Sequence, residues 1–170
     1  MNAAIQSGSS GRVASLHLHP PTPGAPLQTV EVVEAVAGKG IQGEPRYFGR
    51  ISGTTGKPSL RHVSLIEREQ VAQHAGALGL ESISPGAVRS NIETTGIDLV
   101  ALVGKEIQIG DSVLLVYEAR KPCEKMNAVC AGLRDLMEND RQGVLAQVIR
   151  SGIIRVGDQV KECRSRNLDS

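Results

Sequence analysis

The heptapeptide Ile-x-x-Gly-Asp-x-Val occurs twice, at 107–113 and at 154–160, each time between short runs of β-branched residues. A Gly-Asp pair flanked by alternating apolar residues is a strand-turn-strand signal, because glycine and aspartate accept the left-handed backbone that tight turns need. Two such turns, with strands outnumbering helices and no regular βαβ alternation, point to a mainly β fold with a few helices, its sheet closed or strongly curved. The only aromatic residues are Tyr47, Phe48 and Tyr117. The core must therefore be aliphatic.

Strands are read at Val13–Leu18 and Val30–Ala37, with a loop between them that holds Pro20, Pro21, Pro23, Gly24 and Pro26. A third strand signal ends at Leu65. Ser64 and Glu67 have capping-box spacing, and Ile66, Val71, Ala75 and Leu78 continue at helical intervals, which predicts a helix there. Residues 82–99 read as turns, 104–110 and 113–119 as two strands around a turn, 124–137 as one helix, and 143–150 as a strand. Residues 1–10 and 163–170 have the composition of flexible termini around a single domain over 11–162.

With 19 basic and 18 acidic residues, the chain has no global field to gather nucleic acid or a membrane surface. Three aromatics also argue against a base-stacking platform. No signal peptide or membrane-span pattern is present, and three cysteines, Cys123, Cys130 and Cys163, are an odd count for a secreted disulfide scaffold. A cytoplasmic location is the expectation.

Gly38-Lys39-Gly40-Ile41-Gln42-Gly43 matches a dinucleotide-binding fingerprint, but Pro45 and Gly49 follow where a helix should open. Gly53–Pro58 has glycines too close for a phosphate-binding loop, and Pro58 replaces its hydroxyl residue. Both read as flexible loops. His17 and His19 share a strand face, yet with no spaced third ligand they read as solvent-facing; His74 reads as a surface helix residue. His62, beside Arg61, ends a loop and is a candidate pocket residue.

Cys123 is the strongest candidate for chemistry. Arg120, Lys121 and Lys125 surround it, Pro122 restricts the turn that delivers it, and the predicted helix begins just beyond, so cations and a helix N-terminus both favour the thiolate. Cys130, seven residues on, would lie about 10.5 Å away along a helix, too far for a disulfide, and reads as a small buried group.

Several segments resemble, in order and spacing, the MOSC domain family, named for the C-terminal domain of molybdenum cofactor sulfurase. They are Gly38–Glu44, Arg61–Glu67, Pro85–Leu99 through Arg89, Asn91 and Thr95, Ile109–Asp111, Arg120–Cys123, Gly143–Val148 and Val156–Asp158. The resemblance implies a β-barrel-like fold and a cysteine, here Cys123, that ligates the molybdenum of a pterin cofactor or carries sulfur as a persulfide. It assigns cofactor contacts to Arg89, Asn91, Thr95 and Arg120, with Gly43 and His62 on matching loops. The family's first loop ends in Gly-Asp, whereas Gly43-Glu44 stands here. The implied partners are an electron-donating reductase for oxo-transfer on an N-hydroxylated small molecule, or a pyridoxal-phosphate-dependent cysteine desulfurase for sulfur transfer. No intrinsic pyridoxal phosphate site is evident. A non-catalytic cofactor-storage module would use the same residues.

Overall fold

The computed structural model describes residues 10–122 and 125–163. The chain begins with β1 (Ser10–Leu18), β2 (Gln28–Val30), β3 (Val32–Val36), β4 (Gly40–Ile41), β5 (Val63–Glu67) and α1 (Arg68–Ala77). It continues with β6 (Ile92–Thr95), a single 3₁₀ turn at Val100–Leu102, β7 (Glu106–Ile109), β8 (Ser112–Ala119), α2 (Lys125–Val129) and α3 (Leu133–Leu136). It ends with β9 (Val144–Arg150), β10 (Gly152–Arg155) and β11 (Gln159–Glu162).

Seven strands close into a barrel in the order β1-β11-β7-β8-β9-β5-β6, and β6 returns to β1. All neighbours are antiparallel except β5 and β6. Closure removes the unpaired edges that an open sheet would expose. The mainly β, closed-sheet expectation is thus met, and both heptapeptides supply it. Gly110-Asp111 turns β7 into β8, with Ile109 opposite Ser112, while Gly157-Asp158 joins β10 to β11, and Val160 pairs with Ile109.

β1 decides where the barrel opens. Its first residues pair with β11, Ser10 opposite Lys161; its register against β6 then shifts between Val13 and Ser15, and its last three residues pair with β2 instead. Such a bulge bends a strand and increases its twist. The end of β1 leaves the barrel wall and carries His17 and His19 toward the proline-rich loop. β3, β4 and β10 form a separate three-stranded sheet, with β3 against β9 and β10 against β8.

The barrel is filled by Val13, Leu16, Leu65, Ile92, Leu114, Val116 and Val148 among others, and a second cluster outside it joins Ile66, Val71, Val88, Met126, Leu133 and Met137. Both are aliphatic, as three aromatics required. Alternation in β5 explains the two layers: Leu65 points in and Ile66 points out.

Several expectations are corrected. The capping box is absent: Ser64 and Glu67 belong to β5, α1 starts at Arg68 without a side-chain cap, and Ser64 Oγ bonds Asn91 instead. The strand at Val30–Ala37 divides into β2 and β3, which enter different sheets. The helix over 124–137 is two short helices, broken where Gly132 takes φ +90°. The turn-rich stretch at 82–99 contains β6, a buried strand hidden by its polar composition, Ile-Glu-Thr-Thr. His17, His19 and His74 are 1%, 5% and 2% exposed, not solvent-facing. Each has found polar partners, which is what lets a histidine enter an interior.

Candidate functional site

Where β1 leaves the barrel, two clefts lie side by side. The smaller, about 280 Å³, is lined by His19, the prolines at 20, 21, 23 and 45, Arg46, Arg50 and Arg89. The larger, about 530 Å³, is walled by Gly24, Pro26, Leu27, Pro85, Gly86, Ala87 and, from α2, Ala128 and Val129. Arg89 belongs to both walls, and among the described residues it is the only charged one of the larger. One cleft gathers cations and the described wall of its neighbour is mostly apolar.

Arg89 is held by an uncommon backbone. Its φ is +64°, a conformation non-glycine residues seldom adopt, at the end of a tight turn in which its N–H donates to Gly86 O at 3.0 Å. Gly86 is itself obligatory, since at φ +85° a Cβ would meet His17 Nδ1 at 2.9 Å. The Arg89 guanidinium donates to Ala25 O at 3.1 Å and so pins the proline-rich loop over both clefts. Arg120 donates to Ser90 Oγ at 3.1 Å and to Arg89 O at 3.4 Å, and its own backbone N–H bonds Gly143 O. It braces the Arg89 turn from the end of β8, three residues before Cys123.

Beneath the cationic cleft lies a buried polar network. Glu44 is 0% exposed. Its Oε2 accepts from His19 N (3.2 Å), His19 Nδ1 (2.9 Å) and Asn91 Nδ2 (2.8 Å), and its Oε1 from Arg46 N (3.2 Å). Burial would push this carboxyl up, but the His19 side chain and the two backbone N–H groups outweigh it and hold Glu44 below its ordinary value. Asn91 is spent as well: its amide nitrogen also donates to His17 O, and its oxygen accepts from Ser64 N and Oγ. This side chain welds β1, β5 and the Glu44 turn together.

A second buried set lies along β1. His17 Nε2 is 2.7 Å from Ser15 Oγ and 3.8 Å from Glu93, whose other contacts are Arg68 and Gly86 N. Desolvation lowers the His17 pKa, partly offset by Glu93.

The remaining expected residues are dispersed. Gly43, at φ +88°, completes the turn from Ile41 to Glu44 that drives the carboxylate inward. His62 is 2% exposed and faces β9, where its Nδ1 accepts Val148 N–H at 2.9 Å. Desolvation lowers its pKa, opposed by a backbone hydrogen bond at Ser59. Thr95 is at the far end of β6, opposite Arg12, about 13 Å along the strand from Asn91. Cys123 lies outside the described residues. Cys130 is half-buried against the outer core. Among the described residues, no group of three His, Cys, Asp or Glu side chains could hold a metal ion.

Arg46 and Arg50 are cleft residues that sequence reasoning passed over, and His19, read there as solvent-facing, is a third. A signal existed: from Pro45 to Ile66 the chain has four basic residues and no acidic one. Tyr47 organises them, edge-on to His19 at 5.6 Å with the Arg61 guanidinium 4.9 Å from its ring.

A closed seven-stranded mixed barrel with an arginine-lined cleft beside the end of β1 defines a β-barrel domain. The chain belongs to the MOSC domain family, whose model matches residues 49–161. Its fold is similar to that of the YuaD protein from Bacillus subtilis, at 18% identity and a TM-score of 0.77, over 94% of this chain and 99% of that one. It also resembles YiiM from Escherichia coli, at 17% identity and 0.64, over 95% and 72% of the two chains. YiiM from Geobacillus stearothermophilus gives 15% and 0.68, over 91% and 75%. No curated protein matches. No described helix is long and apolar enough to cross a membrane.

Proposed function

We propose that this MOSC domain binds molybdenum cofactor at the paired clefts, with Cys123 as the protein's thiolate to the metal, and supports reductase-type chemistry with a separate electron donor. The observation that carries the reading is the junction at Arg89 between a cationic cleft and one whose described wall is otherwise without charge. A pterin phosphate needs that combination: guanidinium donors for the phosphate oxygens and a wall without competing charge for the flat ring system. Arg46, Arg50 and Arg89 would hold the phosphate. Prolines at 20, 21 and 23 stiffen one wall, so little ordering entropy opposes binding there.

The residues present fit the group. The cofactor brings its own dithiolene sulfurs, so the chain need supply one soft ligand and not a multi-residue metal cluster. When bound, the molybdenum centre supplies two-electron oxygen-atom transfer. The chain's residues bind and orient: Arg120 and Ser90 hold the Arg89 turn, and α2, which starts two residues after Cys123, walls the larger cleft through Ala128 and Val129.

The test is metal and pterin analysis of protein freshly purified from a cofactor-replete host. Stoichiometric molybdenum with metal-to-thiolate absorption is expected for wild type, and loss of the absorption for Cys123→Ser. Protein without molybdenum or pterin that also cannot be loaded refutes the reading. Labelled sulfur transferred from a desulfurase to Cys123 in such protein would identify a sulfur carrier instead.

A further inference from the structure

One group on the cationic wall has no part in holding the barrel closed. His19 is 95% buried, yet it lines the cleft with Arg46, Arg50 and Arg89. Its Nδ1 is 2.9 Å from Glu44 Oε2. An ionised carboxylate only accepts, so Nδ1 carries a hydrogen and the tautomer is set. That leaves Nε2, which makes no hydrogen bond to a described residue, on a ring that lines the cleft. In the neutral ring this nitrogen is a lone pair, which repels an oxyanion; in the imidazolium it is a charged donor, which binds one.

We propose that His19, oriented by Glu44, is a fourth and protonation-dependent ligand of a tetrahedral oxyanion bound between Arg46, Arg50 and Arg89. The charged and titratable groups around the ring support the coupling. Around it stand one carboxylate, Glu44 from the turn after β4, and three guanidiniums of the cleft wall, Arg46 and Arg50 from the following loop and Arg89 from the 84–90 turn. Tyr47 meets the ring edge-on, and Arg61 lies over Tyr47. His17, two residues earlier on β1, is engaged with Ser15, Thr29 and Glu93 and does not line this cleft. With one carboxylate against three guanidiniums, an arriving anion tips the balance, so anion binding and proton uptake reinforce each other. By linkage the effect is reciprocal: protonation tightens the anion, and the anion raises the titration midpoint of His19.

The inference deepens the cofactor reading and rests on it only in taking the physiological anion as a phosphate ester. Sulfate is the probe, because its charge is constant between pH 5.5 and 8.5, on the order of three pH units above its own titration. Calorimetric titration of the full chain with sulfate at low ionic strength should give an affinity that falls about tenfold as His19 deprotonates, the loss of one charge-assisted hydrogen bond. His19→Gln should bind at the weak limit at every pH, and Glu44→Gln should move the transition to lower pH. Nitrogen-15 resonances of the wild-type ring give a readout that needs no variant: sulfate should raise the His19 midpoint. A sulfate affinity that is flat across that titration, or a His19→Gln variant that keeps the full pH dependence, overturns the proposal. Ribose 5-phosphate should compete better than inorganic phosphate; the reverse order overturns the assignment to an ester. Since none of these probes contains molybdenum, a flat titration removes the role of His19 without touching the cofactor reading, and metal-free protein with a pH-dependent titration does the converse.

Discussion

Replacing Glu44 by alanine should be among the most destabilising single changes outside the barrel core. The carboxylate accepts from four donors: His19 N, His19 Nδ1, Asn91 Nδ2 and Arg46 N. His19 Nδ1 and Arg46 N border the cleft, and water can reach them once the side chain is gone. The other two, the His19 N–H and the Asn91 Nδ2 hydrogen not engaged by His17 O, stay buried, and a buried donor hydrogen left without a partner costs about 1–3 kcal/mol. The expected loss for Glu44→Ala is therefore roughly 2–6 kcal/mol, or about 4–24 °C in Tm for a chain of this size. Glu44→Gln keeps one acceptor oxygen and should lose only about 1–2 kcal/mol. The pH dependence adds a check. Because the folded pKa of Glu44 is depressed below its ordinary value of 4.5, its contribution is fully present above that pH and is lost as pH falls through the folded value. Urea unfolding at several pH values should show wild type and Glu44→Ala well separated at pH 7 and converging below 4.5. Equal midpoints at pH 7, or a gap that persists undiminished into acid, would refute the reasoning.

Three further outcomes follow from buried or crowded positions. Gly143→Ala should cost at least about 3 kcal/mol, since Gly143 has φ +78° and a Cβ would collide with the Leu65 carbonyl oxygen; thermal unfolding measures it, and a change below about 1 kcal/mol would contradict the geometry. His17 and His62 both have pKa values lowered from 6.5, so the folded state takes up fewer protons than the unfolded chain. Stability is therefore full above pH 6.5 and should decline below it in urea titrations, less steeply in His62→Gln. Glu67 behaves oppositely: burial, then Asp98, raises its pKa to about 7, so charging it weakens the fold progressively from pH 4.5 upward until about pH 7. Glu67→Gln should consequently stabilise the protein at pH 8 and change nothing at pH 4. The gain is on the order of 1–2 kcal/mol after allowing for solvent screening of a partly exposed group.

The strands that were legible were those with local contrast. Val144–Arg150 and the hairpin around Gly110-Asp111 alternate or run apolar between glycines, and both lie where expected. β6 was illegible because its sequence, Ile-Glu-Thr-Thr, is polar; Glu93 can be buried there because Arg68, from another element, compensates its charge. The apparent capping box failed for the same kind of reason, as Asn91 claimed Ser64 from 27 residues away. Of the candidate site, Arg89 lines both clefts and Arg120 braces its turn, while Asn91 is bonded beneath the cleft to Glu44 and Thr95 is at the other end of β6.

Composition and turn chemistry by themselves determined an aliphatic core and a curved mainly β architecture, because those depend on residue type and on neighbours a few positions apart; the family was legible as a resemblance in the order of its segments. They also supplied the cations of the Arg46–Arg61 stretch. Which cations converge was decided only by tertiary structure. The bulge in β1 lifts His19 off the barrel wall, the Ile41–Glu44 turn sets a carboxylate beneath it, and a left-handed residue at 89 brings in an arginine 70 positions from His19. Distances between such groups arise from closing the barrel, and no local pattern carries them.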